Sequence, residues 1–137
     1  MRTLPLVLRN RNFTLVWMGQ VLSQAGTRMY QICILWWLVS HSPEEYRGIT
    51  VGAFLILGAL PSVTLLKWIG NIVSRRSSKS IMSIAEFVGG LAVGIIAFLF
   101  YKESLHISMV FIVGAIIAIC QAFIDPTLAK CVPELVD

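Results

Sequence analysis

The stretch Gly70-Asn-Ile-Val-Ser-Arg-Arg-Ser-Ser-Lys-Ser80 lies between two long apolar runs, Ile49 to Val73 and Ile81 to Tyr101. Its eleven residues hold three positive charges (Arg75, Arg76, Lys79), four serines and no acid. Each flanking run exceeds the roughly 20 residues needed to cross a hydrocarbon core about 30 Å thick. A cationic turn joining two such runs predicts a short cytoplasmic loop of a polytopic membrane protein. Two helices that are apolar all round seldom fit a soluble domain of this size.

Outward from that turn, two further apolar runs complete a four-span pattern, with spans at about 13–39, 49–73, 81–101 and 107–127. The whole chain of 137 residues is 57% hydrophobic and 13% charged, with a mean hydropathy of +0.81. A soluble domain carries about 25% charge, so the expected fold is all-α, a single membrane domain of four transmembrane helices. His41 to Gly48 and Lys102 to His106 are the loops on the side opposite the basic turn. Met1 to Asn12, broken by Pro5, reads as an interfacial lead-in. Thr127 to Asp137 reads as an amphipathic tail interrupted by Pro133. Pro61 falls inside the second span, where proline is tolerated as a kink.

Charge asymmetry sets the expected orientation. The start, the middle turn and the tail hold Arg2, Arg9, Arg11, Arg75, Arg76, Lys79 and Lys130, whereas the opposite loops hold only Arg47 and Lys102. Both termini are therefore expected in the cytoplasm. A cleaved signal peptide is not expected, because the first apolar run is too long and lacks a small-residue cleavage site.

Several function classes find no support. Cys33, Cys120 and Cys131 are widely spaced, and His41 and His106 stand in separate loops, so neither a metal site nor a disulfide framework is expected. No basic run with interleaved aromatics points to nucleic acid. No nucleophile–base pair or phosphate-cradling glycine loop points to an enzyme or a bound cofactor.

Polarity retained inside a span marks function or packing. Gln20, Gln24, Thr27 and Gln31 recur at i, i+4, i+7 and i+11, an arc of roughly 60° on one helix face. That face is expected to line a substrate cavity, or else to hydrogen-bond neighbouring helices. Arg28 flanks it, on the order of 23 Å from the cytoplasmic end. A guanidinium at that depth is expected to face a bundle interior or an aqueous cavity, with snorkelling as the alternative. Glu86 and Lys67 fall at nearly equal depth in the hairpin and are expected to pair, with a proton-site role for Glu86 as the alternative. Asp125, closing span four beside Pro126, opposes the helix dipole and is expected to meet Lys130 or the arginines of the turn. Gly90-xxx-Gly94 and Gly114-xxx-Ala118 suit close helix approach.

Three stretches carry a family resemblance. Leu8-Arg-Asn-Arg-Asn-Phe13, Trp17-Met-Gly-Gln20, Ser23-Gln-Ala-Gly26 and Leu35-Trp-Trp-Leu-Val39 form the first; Gly70 to Lys79 the second; Phe123-Ile-Asp-Pro126 with Val132-Pro-Glu-Leu-Val136 the third. Together they resemble the first four helices of a major facilitator superfamily transporter, in the branch of bacterial macrolide, multidrug and siderophore exporters. The resemblance implies a partial N-terminal half of that fold in the bacterial inner membrane, and a small-molecule efflux or antiport function. It implies substrate-facing roles for Gln24, Arg28 and Gln31, and a cytoplasmic gate at Gly70, Ser74, Arg75 and Lys79. The sequence departs from the family at Ser74, where the loop motif usually has aspartate before its arginine. It departs again at Thr27, where the branch often has an acid, and at Gly89, where a basic residue is common. Because the family has twelve spans in two halves with substrate between them, four spans alone are not expected to transport. The missing half or self-association is the implied partner. The alternatives are a small four-span transporter acting as an oligomer and a non-transporting membrane interaction subunit.

Overall fold

In a computed structural model, residues 11–136 are described, and they form five helices. These are α1 (Arg11–His41), α2 (Arg47–Thr64), α3 (Leu66–Arg75), α4 (Ser78–Tyr101) and α5 (Ile107–Val136). Arg2, Pro5, Arg9 and Asp137, on which the lead-in and part of the charge count rest, lie outside the described residues. Three helices, α2, α4 and α5 as far as Cys131, are long and apolar enough to cross a membrane. The 31-residue α1, about 46 Å long, is not among them. Its polar arc and Arg28 lower its hydropathy, not its length.

The expected second span is two helices rather than one. Pro61 removes one backbone donor from α2, and the Thr64 hydroxyl donates back to the Leu60 carbonyl at 2.8 Å, a contact that bends helices. The α-helical pattern lapses at Leu65 and resumes one residue later. The basic turn is correspondingly shorter than expected. Gly70 to Arg75 belong to α3, leaving only Arg76 and Ser77 between α3 and α4. The reason is amphipathy: Ile69 and Val73, one turn apart, are buried with Ile81 and Ala122, while Lys67, Trp68, Asn71 and Ser74 face out. Asn71 adds local support, accepting from Arg75 Nε at 3.1 Å.

The helix of the expected fourth span does not stop at Asp125-Pro126. α5 continues through Asp125, Pro126 and Pro133, so Asp125 sits mid-helix rather than at a C-terminus. Helix α5 is the hub, with contacts to α1, α2, α3 and α4. Its inward face contributes Val110, Val113 and Ile117 to an apolar cluster with Tyr30, Ile34, Leu38, Phe54, Ala92 and Ile96. Outward faces keep large apolar side chains exposed, among them Leu22, Trp36, Trp68, Phe87 and Tyr101. So much contiguous apolar surface is untenable in water and suited to lipid.

The α4–α5 connection closes with a Schellman arrangement. Ser104 N–H donates to Leu99 O at 3.1 Å and Glu103 N–H to Phe100 O at 3.0 Å. Glu103 takes the left-handed conformation (φ 53°) usually given to glycine.

Only one of the two small-residue pairs works as expected. Gly90 and Gly94 are exposed with open space around them. By contrast, a Cβ on Gly114 would lie 2.7 Å from Phe54 Cε2, and Phe54 also meets Phe111 edge-on at 5.8 Å. The missing side chain at Gly114 seats the Phe54 ring and sets the α2–α5 spacing. Gly114→Ala should destabilise the bundle by about 1–3 kcal/mol through overpacking, and Phe54→Leu in the same chain should restore much of it. Gly90→Ala should be neutral within about 0.5 kcal/mol. Denaturant titration in micelles followed by circular dichroism checks all three; equal effects at Gly114 and Gly90 would contradict the close approach.

Candidate functional site

The polar residues of α1 meet polar groups on α4 and α5 and form a seam through otherwise apolar helices. Successive members of the arc are one turn apart, so a single helix face presents Gln20, Ser23, Gln24 and Thr27 to the bundle. Gln20 Nε2 donates to Glu86 Oε1 at 2.9 Å, and the Ser23 hydroxyl donates to Glu86 Oε2. Thr27 Oγ1 donates to the Ser23 carbonyl at 3.1 Å and accepts from Gln121 Nε2 at 3.4 Å. Gln24 Nε2 donates to Gln121 Oε1 at 3.3 Å. The seam therefore links α1 to both α4 and α5.

Glu86 is half-buried and both of its hydrogen-bond donors are neutral, so the expected pairing with Lys67 is corrected. Lys67 is exposed on α3, whose buried stripe is set by Ile69 and Val73. That stripe turns Lys67 away from α4. Lys130 donates from Nζ to the carbonyls of Val73 at 3.1 Å and Arg76 at 3.3 Å. A cation is favourable at a helix C-terminus, here that of α3. Asp125 is exposed, while Lys130 reaches the carbonyls of Val73 and Arg76 instead.

Glu86 stands between two openings. A cleft of about 230 Å³ is lined by Ser23, Gly26, Thr27, Glu86, Gly89 and Gln121, among others. A wider vestibule of about 810 Å³ reaches Glu86 and Gln20 from the end of the bundle that carries Ser77, Lys79 and Lys130. Gln20 is buried, and its Oε1 has no hydrogen-bond partner among the described residues. An unpaired buried acceptor costs about 1–3 kcal/mol, and this one lies beside the carboxylate.

The other expected site residues lie apart from the seam. Arg28 is exposed and donates from Nη1 to Gln31 Oε1 at 3.2 Å, within α1. Gly70, Ser74, Arg75 and Lys79 are exposed near the α3–α4 link, and Ser74 Oγ donates to the Asn71 carbonyl at 2.8 Å. Two seam members, Ser23 and Gln121, were not among the expected cavity residues. Ser23 lies one turn from Gln20, and Gln121 is the lone amide within an apolar stretch of α5, so both signals were present in the pattern. Among the described residues no three His, Cys, Asp or Glu side chains are grouped to hold a metal.

No known protein family, curated protein or solved structure matches the chain.

A double-mutant cycle tests the seam. Glu86→Ala and Ser23→Ala should couple by about 0.6–1.7 kcal/mol, the range of interhelical hydrogen bonds measured in membranes. Glu86→Ala and Lys67→Met should show no coupling. Unfolding in mixed micelles supplies the energies, and the reverse pattern would restore the Lys67 pairing.

Proposed function

We propose that the chain is the cavity-forming part of a secondary transporter, equivalent to the first four helices of a major facilitator exporter that moves small molecules across a bacterial inner membrane. The single observation that carries this proposal is the polar seam of α1, α4 and α5, opening onto the cleft and vestibule at Glu86. A bundle needing only adhesion could use small residues and van der Waals contact. A half-buried carboxylate with neutral partners beside aqueous-sized openings supports a role in taking up a proton or a cationic solute. The three-stretch resemblance supports the same assignment, and the three apolar helices agree with membrane embedding.

In this proposal Gln24, Gln31 and Arg28 face the solute, Glu86 is the ionisable group of the path, and Arg75 belongs to the cytoplasmic gate. One wall of a cavity does not enclose a substrate, so transport depends on a second wall, from further helices or another subunit.

Solvent accessibility separates a solute path from a purely adhesive seam. In a chain whose native cysteines are replaced, Gln24→Cys and Gln31→Cys in native membranes should react with a hydrophilic thiol reagent at least tenfold faster than Leu22→Cys and Ile32→Cys, which point away from the polar arc. Equal, slow labelling at all four positions would overturn the path and leave the hydrogen bonds with an adhesive role.

A further inference from the structure

A further opening, on the outer surface of the bundle, has a different chemistry from the seam. It is a groove of about 450 Å³ between α3, α4 and α5, with Ile72, Ile81, Ile84, Val88, Ile119 and Phe123 along its walls. Arg76 and Ser80 also line it, and both belong to the α3–α4 junction, where Arg76 is a linker residue and Ser80 lies in the first turn of α4. The apolar part thus runs along α4 from Ser80 to Val88, about 12 Å at 1.5 Å per residue. One leaflet of a hydrocarbon core is about 15 Å deep. The groove has the length of most of an acyl chain, and its polar end is where a headgroup would lie.

Arg76 makes the polar end selective. Its backbone carbonyl accepts from Lys130, which fixes the linker, while its guanidinium is exposed and has no hydrogen-bond or ion-pair partner among the described residues. Neighbouring Arg75 is engaged with Asn71. A planar guanidinium suits phosphate recognition, whereas Lys79 lines the vestibule and not this groove. Ile84 and Val88 are exposed on a helix apolar enough to span a bilayer, so lipid is the medium that meets them.

We propose that this groove is a binding site for one anionic phospholipid, with its phosphate on Arg76 and one acyl chain between α4 and α5. The site depends on embedding in a bilayer and not on transport. A zwitterionic lipid of the same chain length fills the apolar groove equally well but brings a compensating positive charge toward Arg76. Headgroup charge is therefore the discriminating variable.

The test is native mass spectrometry of the full chain released from nanodiscs containing equal phosphatidylglycerol and phosphatidylcholine of matched acyl chains. One phosphatidylglycerol should be retained in preference. Arg76→Gln should reduce that preference about fivefold, the loss expected for one basic residue at a membrane surface. The substitution leaves the Lys130 contact intact, since that contact uses the backbone. Val88→Trp should lower retention of both lipids by filling the groove. Lys102→Gln, at the far end of α4, should change nothing. Equal retention of the two headgroups, or a preference unaltered by Arg76→Gln, would overturn the site. So would a dimer carrying no lipid whose contact is abolished by Val88→Trp. Circular dichroism on each variant confirms that helicity is kept, and thiol labelling along α1 reports separately on the solute path.

Discussion

An apolar helix in lipid gains nothing by leaving it for another apolar helix, so the bundle must be gathered by packing and hydrogen bonding. Contact with α5 supplies the packing. The Phe54 ring sits on Gly114, Ala92 and Ile96 join Val113 and Ile117 in the central cluster, and Ile69 and Val73 meet Ala122 near the basic end. α1 is different. It is the least apolar of the four long helices, and amides and hydroxyls supply much of its attachment. Glu86 and Gln121 receive those groups from α4 and α5, so the partners that hold α1 also interrupt the apolar interior.

Much of the architecture was legible in the sequence because it rests on length and hydropathy. Runs of 20 or more apolar residues become helices, since lipid leaves backbone amides no other partners. The boundaries were less legible where local chemistry decides them. Gly70 to Arg75 look like a loop in composition, yet Ile69 and Val73 supply a buried stripe that extends the helix. Asp125-Pro126 looks like a stop, yet a helix packed against four neighbours carries past a single lost hydrogen bond. Pro61 was visible as a kink, whereas the back-bonding hydroxyl of Thr64 that accompanies it depends on a rotamer.

The seam was half legible. Spacing on α1 identifies a polar face, but not what that face meets, because depth along a helix leaves rotation undetermined. Equal depth made Lys67 and Glu86 look like partners; rotation about α3 sends Lys67 outward and leaves Glu86 to Gln20 and Ser23. Arg28 is a simpler case: its guanidinium is exposed and hydrogen-bonds Gln31 within α1.

Lys130, near the end of α5, ties that helix to one carbonyl of α3 and one of the linker through one ammonium group, and only two residues connect α3 to α4. Three helix ends are therefore mechanically joined at one corner of the molecule. A tilt of any one of them is felt by the other two, and Arg76 rides on that corner. Separating these helices at that corner requires breaking the two Lys130 hydrogen bonds.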